Sequence, residues 1–520
     1  MLKTCLAAAT LALSAGMATA EFHLTILHTN DFHARFEPIT KYDNTCGAED
    51  NDAGKCFGGS ARLATAISEA RGRHENTILV DGGDQFQGTL FYTYYKGTLA
   101  AKMMNKMGYD AMTVGNHEFD DGPEVLRGFM DALNFPILMS NADVTGEKQL
   151  AGVMQKSTII SRGGERIGLI GVTPQNTDEL ASPGPYIVFY DPVDGVQTQV
   201  NLMRDAGVNK IVVLSHSGYL VDQRIAAETE GVDVIVGGHS NTYLHSDDED
   251  ASGPYPTMVG DTAIVQAYAY GKFLGELNVV FDEAGEIVSA SGAPVIMDAS
   301  VAEDDSIKVR ITEAALPLNK IRNEVVGEAV EAIDGSSDTC RAGPCAMGIA
   351  MAEAMLERVK DQGIDIAMTN GGGVRSGIDQ GEITKGEVLT VAPFQNTMAT
   401  FRLTGAQVIE ALENGFSKVG EDAGRFPQVA GMTVTYDASA DPGARVRDVM
   451  IGGAALEMDK LYGVVSNNYL RGGGDGYATF VDAADAYDFG PDVADVLADY
   501  LTARTPFTPI VDDRIKPVGP

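Results

Sequence analysis

Positive charge is scarce in this 520-residue chain: 38 Lys and Arg stand against 73 Asp and Glu, a formal net charge of −35. That deficit disfavours nucleic-acid polymers and anionic membranes as partners. It also means that an anionic substrate must find positive charge locally, from metal ions or a few placed arginines. After residue 20 no apolar run reaches membrane-spanning length and the tail carries no hydrophobic anchor signal, so no membrane anchor is expected. Low-complexity tracts and repeats are missing, and 44% hydrophobic with 21% charged residues excludes a disordered or fibrous chain.

Cysteine is scarce too, with five residues. Cys5 falls in residues 1–20, where Lys3, a short apolar run and Ala18-Thr19-Ala20 make a signal peptide with a small-residue cleavage site. Its removal sends the mature chain outside the cytoplasm, to the periplasm or the medium, and leaves Cys46, Cys56, Cys340 and Cys345. In an exported chain their spacing predicts disulfides between near neighbours, Cys46 with Cys56 and Cys340 with Cys345. Zinc is the rival use of these thiols, but neither pair has C-x2-C spacing or a nearby His.

What the sequence does have is a set of β-branched apolar runs that stop at polar residues. The run 111–114 ends in Gly115-Asn116-His117-Glu118-Phe119-Asp120; 24–27 leads to Asp31-Phe32-His33; 78–80 to Asp81-Gly82-Gly83-Asp84; 211–214 to Ser215-His216; 234–236 to Gly237-Gly238-His239-Ser240-Asn241. Five buried strands that each deliver Asp, Asn or His to one sheet edge assemble a polynuclear metal site. Of eight histidines, His23, His28, His74 and His245 fit no such pattern and read as ordinary structural residues.

Asp31 and His33 are two apart, so in extended backbone they share a face and can grip one ion, which Asn241 would close. Asp84 follows a Gly-Gly turn, the place for a carboxylate bridging two ions, and Asn116, His216 and His239 would complete the second. Oxygen and imidazole donors suit Zn, Mn, Co or similar divalent ions, and a pair of them suits in-line displacement at phosphorus. His117 has a separate task, with Asp120 three residues on to orient its ring: protonating a departing alkoxide. Asp81 reads as turn-forming and Glu118 as surface or loop-supporting.

At this length two domains are expected. Strands alternate with helices through 21–300, a charged helical linker spans 301–333 with Pro317 set to kink it, and 334–520 has its own helices (346–360, 404–415) and strands (364–369, 429–436, 462–466). Its Gly-rich polar motifs are Asn370-Gly371-Gly372-Gly373-Val374-Arg375 and Asn467-Asn468-Tyr469-Leu470-Arg471-Gly472-Gly473-Gly474-Asp475-Gly476-Tyr477.

Together these motifs resemble the calcineurin-like metallophosphoesterases and, over the whole mature chain, the secreted 5′-nucleotidase family, which includes bacterial UDP-sugar hydrolases and animal ecto-5′-nucleotidases. The resemblance implies an α/β protein: an N-terminal four-layer metallophosphoesterase sandwich, a helical linker and a C-terminal α/β nucleotide-binding domain. Asp31, His33, Asp84 and Asn241 would hold one ion and Asp84, Asn116, His216 and His239 the other, with His117 and Asp120 the catalytic pair. In the second domain it puts Arg341 and Arg375 on the phosphates, Asn370 on the base and Asp475 on the ribose, with Phe394 and Tyr469 sandwiching the base. Arg471 stands where the family has a small or Asn-like residue, and would add a phosphate or ribose contact.

The implied activity is release of phosphate from nucleoside 5′-monophosphates, with cleavage of nucleoside di- or triphosphates or UDP-sugars as an extension. A 2′,3′-cyclic-nucleotide phosphodiesterase with 3′-nucleotidase activity is the alternative within the same chemistry. An exported non-catalytic nucleotide-binding or adhesion protein is the alternative outside it. Monomer and homodimer are both open on the sequence.

Overall fold

In the computed structural model the described residues are 21–518 except 42, 44, 45, 395, 488 and 489, so the expected signal peptide lies outside them. Two six-stranded sheets form the first half. One runs in the order Ile287–Ile296, Phe273–Phe281, Phe22–Thr29, Thr77–Asp81, Ala111–Thr113, Ile137–Leu138, and the other in the order Thr257–Val259, Thr262–Val265, Val234–Val236, Ile211–Ser215, Glu165–Val172, Ser157–Arg162.

Strand alternation makes the layers. Leu24, Ile26, Ile78 and Val80 face the second sheet and meet Leu169, Val212, Leu214 and Val236. Their neighbours Leu27, Leu79 and Met112 point the other way, onto Leu63, Met104 and Leu126 of the helices Ser60–Arg73, Thr98–Met107 and Gly122–Ala132. On the second sheet Ile170, Val213 and Ile235 pack on Val196, Val200 and Ile225 of Pro192–Asp205 and Tyr219–Glu228. Helix, sheet, sheet, helix is the four-layer sandwich, and full burial on both faces explains why the inner strands are almost uniformly apolar. Each such side chain contributes about 1.5–3 kcal/mol by leaving water.

The second half has a five-stranded sheet in the order Pro427–Ala430, Ile366–Asn370, Leu461–Asn467, Met398–Thr404, Ala484–Tyr487. Helices Ala346–Val359 and Val493–Ala503 cover one face and Gly405–Phe416 the other. The run 429–436, read from sequence as one strand, is two: Pro427–Ala430 stays in this sheet, while Met432–Tyr436 enters a separate four-stranded one. Gly431, at φ 77°, turns the chain between them.

The linker also differs from its sequence reading. Helix Asp305–Ala315 ends just before Pro317 and a short turn, Asn319–Arg322, follows. Then Val325–Ala329 is a strand, paired antiparallel with Gly381–Thr384 of the second half, so a helical linker to residue 333 is an overextension. The β-branched pair Val325-Val326 starts the new element. The long linker helix belongs to the first core, through Ile307, Ile311 and Ala315. Cys46 is joined to Cys56 and Cys340 to Cys345, which removes all four thiols from metal binding. Among the described residues no helix is long and apolar enough to cross a membrane.

Candidate active site

Parallel pairing brings the five strand ends to one edge. Thr29 lies opposite Asp81, Val80 opposite Ala111, and Leu214 opposite Val236, so the loops after them leave the two sheets side by side. Asp84 sits at their centre. Its Oδ2 is 3.0 Å from His216 Nε2, 3.8 Å from His33 Nε2 and 3.9 Å from His117 Nε2. Asp31 Oδ1 is 3.9 Å from His216 Nε2, its carboxylate accepts the His239 backbone N–H, and His239 Nδ1 is 3.0 Å from Asn116 Oδ1. His33, Asp84 and His117 form one group of converging donor atoms, and Asp84, His216 and His239 another.

Several observations fit these residues to divalent cations. His33 Nδ1 is bonded to the Phe86 carbonyl at 2.9 Å and His216 Nδ1 to the Gly82 carbonyl at 2.6 Å, which turns Nε2 of each ring inward. Asn241 Oδ1 is buried without a hydrogen bond, a costly state that a cation would relieve, and His216 Nε2 has only the Asp84 carboxylate, 3.0 Å away, for a close partner. Asp31, His33, Asp84, His239 and Asn241 all have positive φ, between 48° and 72°. Left-handed non-glycine backbone costs on the order of 1 kcal/mol or more per residue, and five of the fourteen such residues among those described fall at these converging positions. Backbone bonds hold it, Asp31 N to Gly83 O at 2.9 Å and His33 N to Asp84 O at 3.0 Å. A Cβ on Gly115 would collide with the Asp84 carboxylate, so only glycine lets the two loops close on each other.

Protonation follows from burial and neighbours. Burial pushes the Asp31 carboxyl up to about 6, against the pull of His216 and with a push from Asp84. Asp84, although buried, is held well below the usual carboxylate range by His216 and His117. Burial, reinforced by Arg375 for His33 and by His216 for His239, keeps both imidazoles neutral, the form that ligates metal. Burial would lower His216 as well, but Asp84 and Asp31 raise it to about 10. It carries the proton that a cation would displace.

His117 Nδ1 donates to Asp120 Oδ2 at 2.7 Å. Burial disfavours its charge, but Asp120 and then Asp84 outweigh that and hold it above the ordinary histidine value. Asp120 is itself bonded by the Gln87 side chain. Sequence reasoning missed Gln87, since nothing in its spacing separates it from a loop residue.

The second half closes the site. Arg375 Nη2 is 3.2 Å from His33 Nε2, and the Phe394 ring stacks on His117 with centroids 5.5 Å apart. Between the halves lies a cavity of about 1080 Å³, lined by Arg341, Asn370, Arg375, Phe394, Tyr469 and Asp475 on one side and by His33, Asp84, Asn116, His117, Asp120 and His239 on the other. Asp31 also reaches the cavity, whereas His216 is wholly buried beneath it. Asn370 Nδ2 donates to Asp475 Oδ2 at 2.6 Å and Tyr469 Oη to Asp475 Oδ1 at 3.2 Å. Arg341 reaches the Asp422 carbonyl at 3.3 Å and leaves Nε buried without a partner.

One sequence reading needs correction and another is decided between its alternatives. Arg471 does not line the cavity: Nη1 bonds the carbonyls of Phe480 and Val481, both at 2.7 Å, and ties its own loop together. Of the two readings of Glu118, surface or loop-supporting, only the second holds, since it is fully buried and both of its oxygens accept backbone N–H groups of neighbouring loops. Asp81, by contrast, forms its turn as read, accepting from Gly83 N at 3.0 Å.

The family model of the calcineurin-like phosphoesterases matches residues 24–243, and that of the 5′-nucleotidase C-terminal domain matches residues 325–482. The chain is 37% identical to the snake venom 5′-nucleotidase of Gloydius brevicauda over 96% of its own length and 89% of that protein. To the 5′-nucleotidase of Homo sapiens it is 37% identical, over 98% and 94%. The crystal structure of a 5′-nucleotidase precursor from Thermus thermophilus superposes with a TM-score of 0.91 at 36% identity, covering 96% of this chain and all of that one.

Proposed function

Since the chain belongs to the 5′-nucleotidase family, metal-dependent hydrolases that free phosphate from nucleoside 5′-monophosphates, we propose that its two halves divide that reaction between a dimetal centre and a nucleoside cradle. Asp31, His33, Asp84 and Asn241 hold one divalent ion, and Asp84, Asn116, His216 and His239 the other. When bound, the ions supply Lewis-acid charge to the oxygens on phosphorus. Arg341 and Arg375 fork the phosphate in a protein otherwise short of positive charge. Phe394 and Tyr469 stack the base, Asn370 meets its edge, and Asp475 accepts the ribose hydroxyls. His117, kept protonated by Asp120, donates to a phosphoryl oxygen and then gives its proton to O5′ as the P–O5′ bond breaks. Water supplies the new oxygen on phosphorus as that bond breaks, and the proton it sheds returns through solvent to His117, so that the products are the nucleoside and hydrogen phosphate.

The contact across the two halves carries this reading: Arg375 against His33 and Phe394 against His117 put the cradle and the metal ligands in one cavity. The same chemistry at phosphorus extends to nucleoside diphosphates, triphosphates and UDP-sugars as a wider substrate range. Export to the periplasm or the medium is supported by the leader-like residues 1–20 and the two disulfides.

Phosphate release from AMP, 2′,3′-cyclic AMP and UDP-glucose in the presence of Mn²⁺ tests the proposal. AMP is expected to be cleaved fastest, and all activity should vanish with chelator. Activity on the cyclic nucleotide alone would replace the reading with the phosphodiesterase one, and an inert, metal-loaded protein would make it a binding protein.

A further inference from the structure

Glu118 follows directly on the catalytic imidazole, yet its side chain turns away from the cavity and is completely buried. Its two oxygens gather four backbone N–H groups from two loops. Oε2 accepts from Asp84 N at 3.0 Å and Gly115 N at 2.6 Å; Oε1 accepts from Gln85 N at 2.8 Å and Phe86 N at 3.2 Å. One loop carries Asp84 and, through the Phe86 carbonyl, orients His33. The other carries Asn116 and His117, and His117 N returns a bond to Asp84 Oδ1 at 2.9 Å.

We propose that Glu118 is a positioning residue that fixes the separation of the two metal subsites, by clamping the Asp84 loop to the Asn116–His117 loop through their backbones. The proposal rests on the ligand assignment above. A carboxylate suits the task because it offers acceptors only, four lone-pair sites for four donors. An amide of the same shape presents an NH₂ to two N–H groups and must push one loop away. Since Asp84 is shared by both ions, a small displacement loosens both subsites, and partners of metal ligands typically control affinity or activity by about 10- to 100-fold.

The experiment compares wild type, Glu118→Gln and Glu118→Asp, all full-length mature protein. Mn²⁺ affinity and stoichiometry are measured by titration calorimetry, and kcat and KM for AMP at saturating Mn²⁺, per folded molecule. Glu118→Gln is expected to weaken Mn²⁺ binding by about 10-fold or more and to lower kcat by a similar factor, with KM within about twofold, because the cradle lies in the other half. Glu118→Asp, which keeps the charge but shortens the reach, should fall in between, and it decides the matter if the glutamine variant does not fold. Asp233→Asn serves as a control: this half-buried acid accepts Ile211 N at 2.6 Å away from the site, and its loss should lower stability without moving Mn²⁺ affinity. Wild-type Mn²⁺ affinity and kcat in a folded Glu118 variant would overturn the clamp. A wild-type protein binding fewer than two Mn²⁺ would instead sink the ligand assignment beneath it.

Discussion

The two halves of the molecule meet at one cavity but are prepared for their ligands in opposite ways. On the proposed metal side, Asn241 Oδ1 is buried without a hydrogen bond, His216 Nε2 has only a carboxylate ion pair, and five of the proposed ligand residues hold positive φ. On the cradle side Asn370 and Tyr469 both bond Asp475, leaving, among the proposed cradle residues, Arg341 Nε as the buried atom without a partner and Asp475 as the residue at positive φ. The first arrangement waits for ions at a standing cost in stability, which bound metal would return. The second keeps Asn370, Tyr469 and Asp475 paired at rest, and these must trade internal bonds for ligand bonds. Disturbing the metal side should therefore cost turnover, and disturbing the cradle should cost affinity.

The sharpest test of that division is the pair Asp84→Asn and His117→Ala. Asp84 is shared by both groups of donor atoms, so losing its charge should abolish binding of at least one ion and leave kcat at the limit of detection. His117→Ala should lower kcat by about 10²-fold or more with metal content held, since general-acid catalysis contributes roughly 10²–10⁴. Elemental analysis alongside phosphate release separates the two. Metal loss in His117→Ala, with full activity per bound ion, would break the comparison.

On the other side Phe394→Ala should raise KM for AMP while kcat changes little. Stacking of one base on an aromatic ring is worth about 1–3 kcal/mol, or roughly 5- to 150-fold. Because Phe394 also lies on His117, a fall in kcat as large as the rise in KM would mean that the ring also positions the catalytic imidazole.

The same asymmetry governs what could be read from sequence. The proposed metal ligands stand one or a few residues beyond nearly continuous apolar runs, and parallel pairing carries that linear pattern into space, so spacing alone picked out Asp31, Asp84, Asn116, His216 and His239, which the structure brings together. The cradle residues sit on Gly-rich loops with no period, and only their resemblance to a family named Phe394, Tyr469 and Asp475. Glu118 was legible only as a choice between surface and loop support. A charged residue in a polar loop gives the same pattern whether it points to water or gathers backbone N–H groups, and only the meeting of loops 33 residues apart distinguishes them. Gly431 failed for a related reason: one glycine in a β-rich run reads equally as a bulge or as a change of sheet.

A smaller effect should separate the halves by acid. All eight histidines precede residue 246, so any acid sensitivity due to histidine belongs to the first half. His28 is the cleanest case, buried three residues before the ligands, with Nε2 2.9 Å from Tyr255 Oη and Nδ1 unpartnered. Burial lowers its pKa from 6.5 to about 3. Between those values the unfolded chain takes up a proton that the folded one refuses, so stability rises with pH across that window and is fully present above it. Asp31, Asp81 and Asp222, whose buried carboxyls titrate high, pull the other way over the same range, so the His28 contribution is read as a difference. In metal-free protein, protection of the strand Phe22–Thr29 from hydrogen exchange should fall from pH 7 to 5 more steeply in wild type than in His28→Gln, which cannot take that proton. If both halves lose protection together in wild type, they unfold as one cooperative unit and the division drawn here is confined to chemistry.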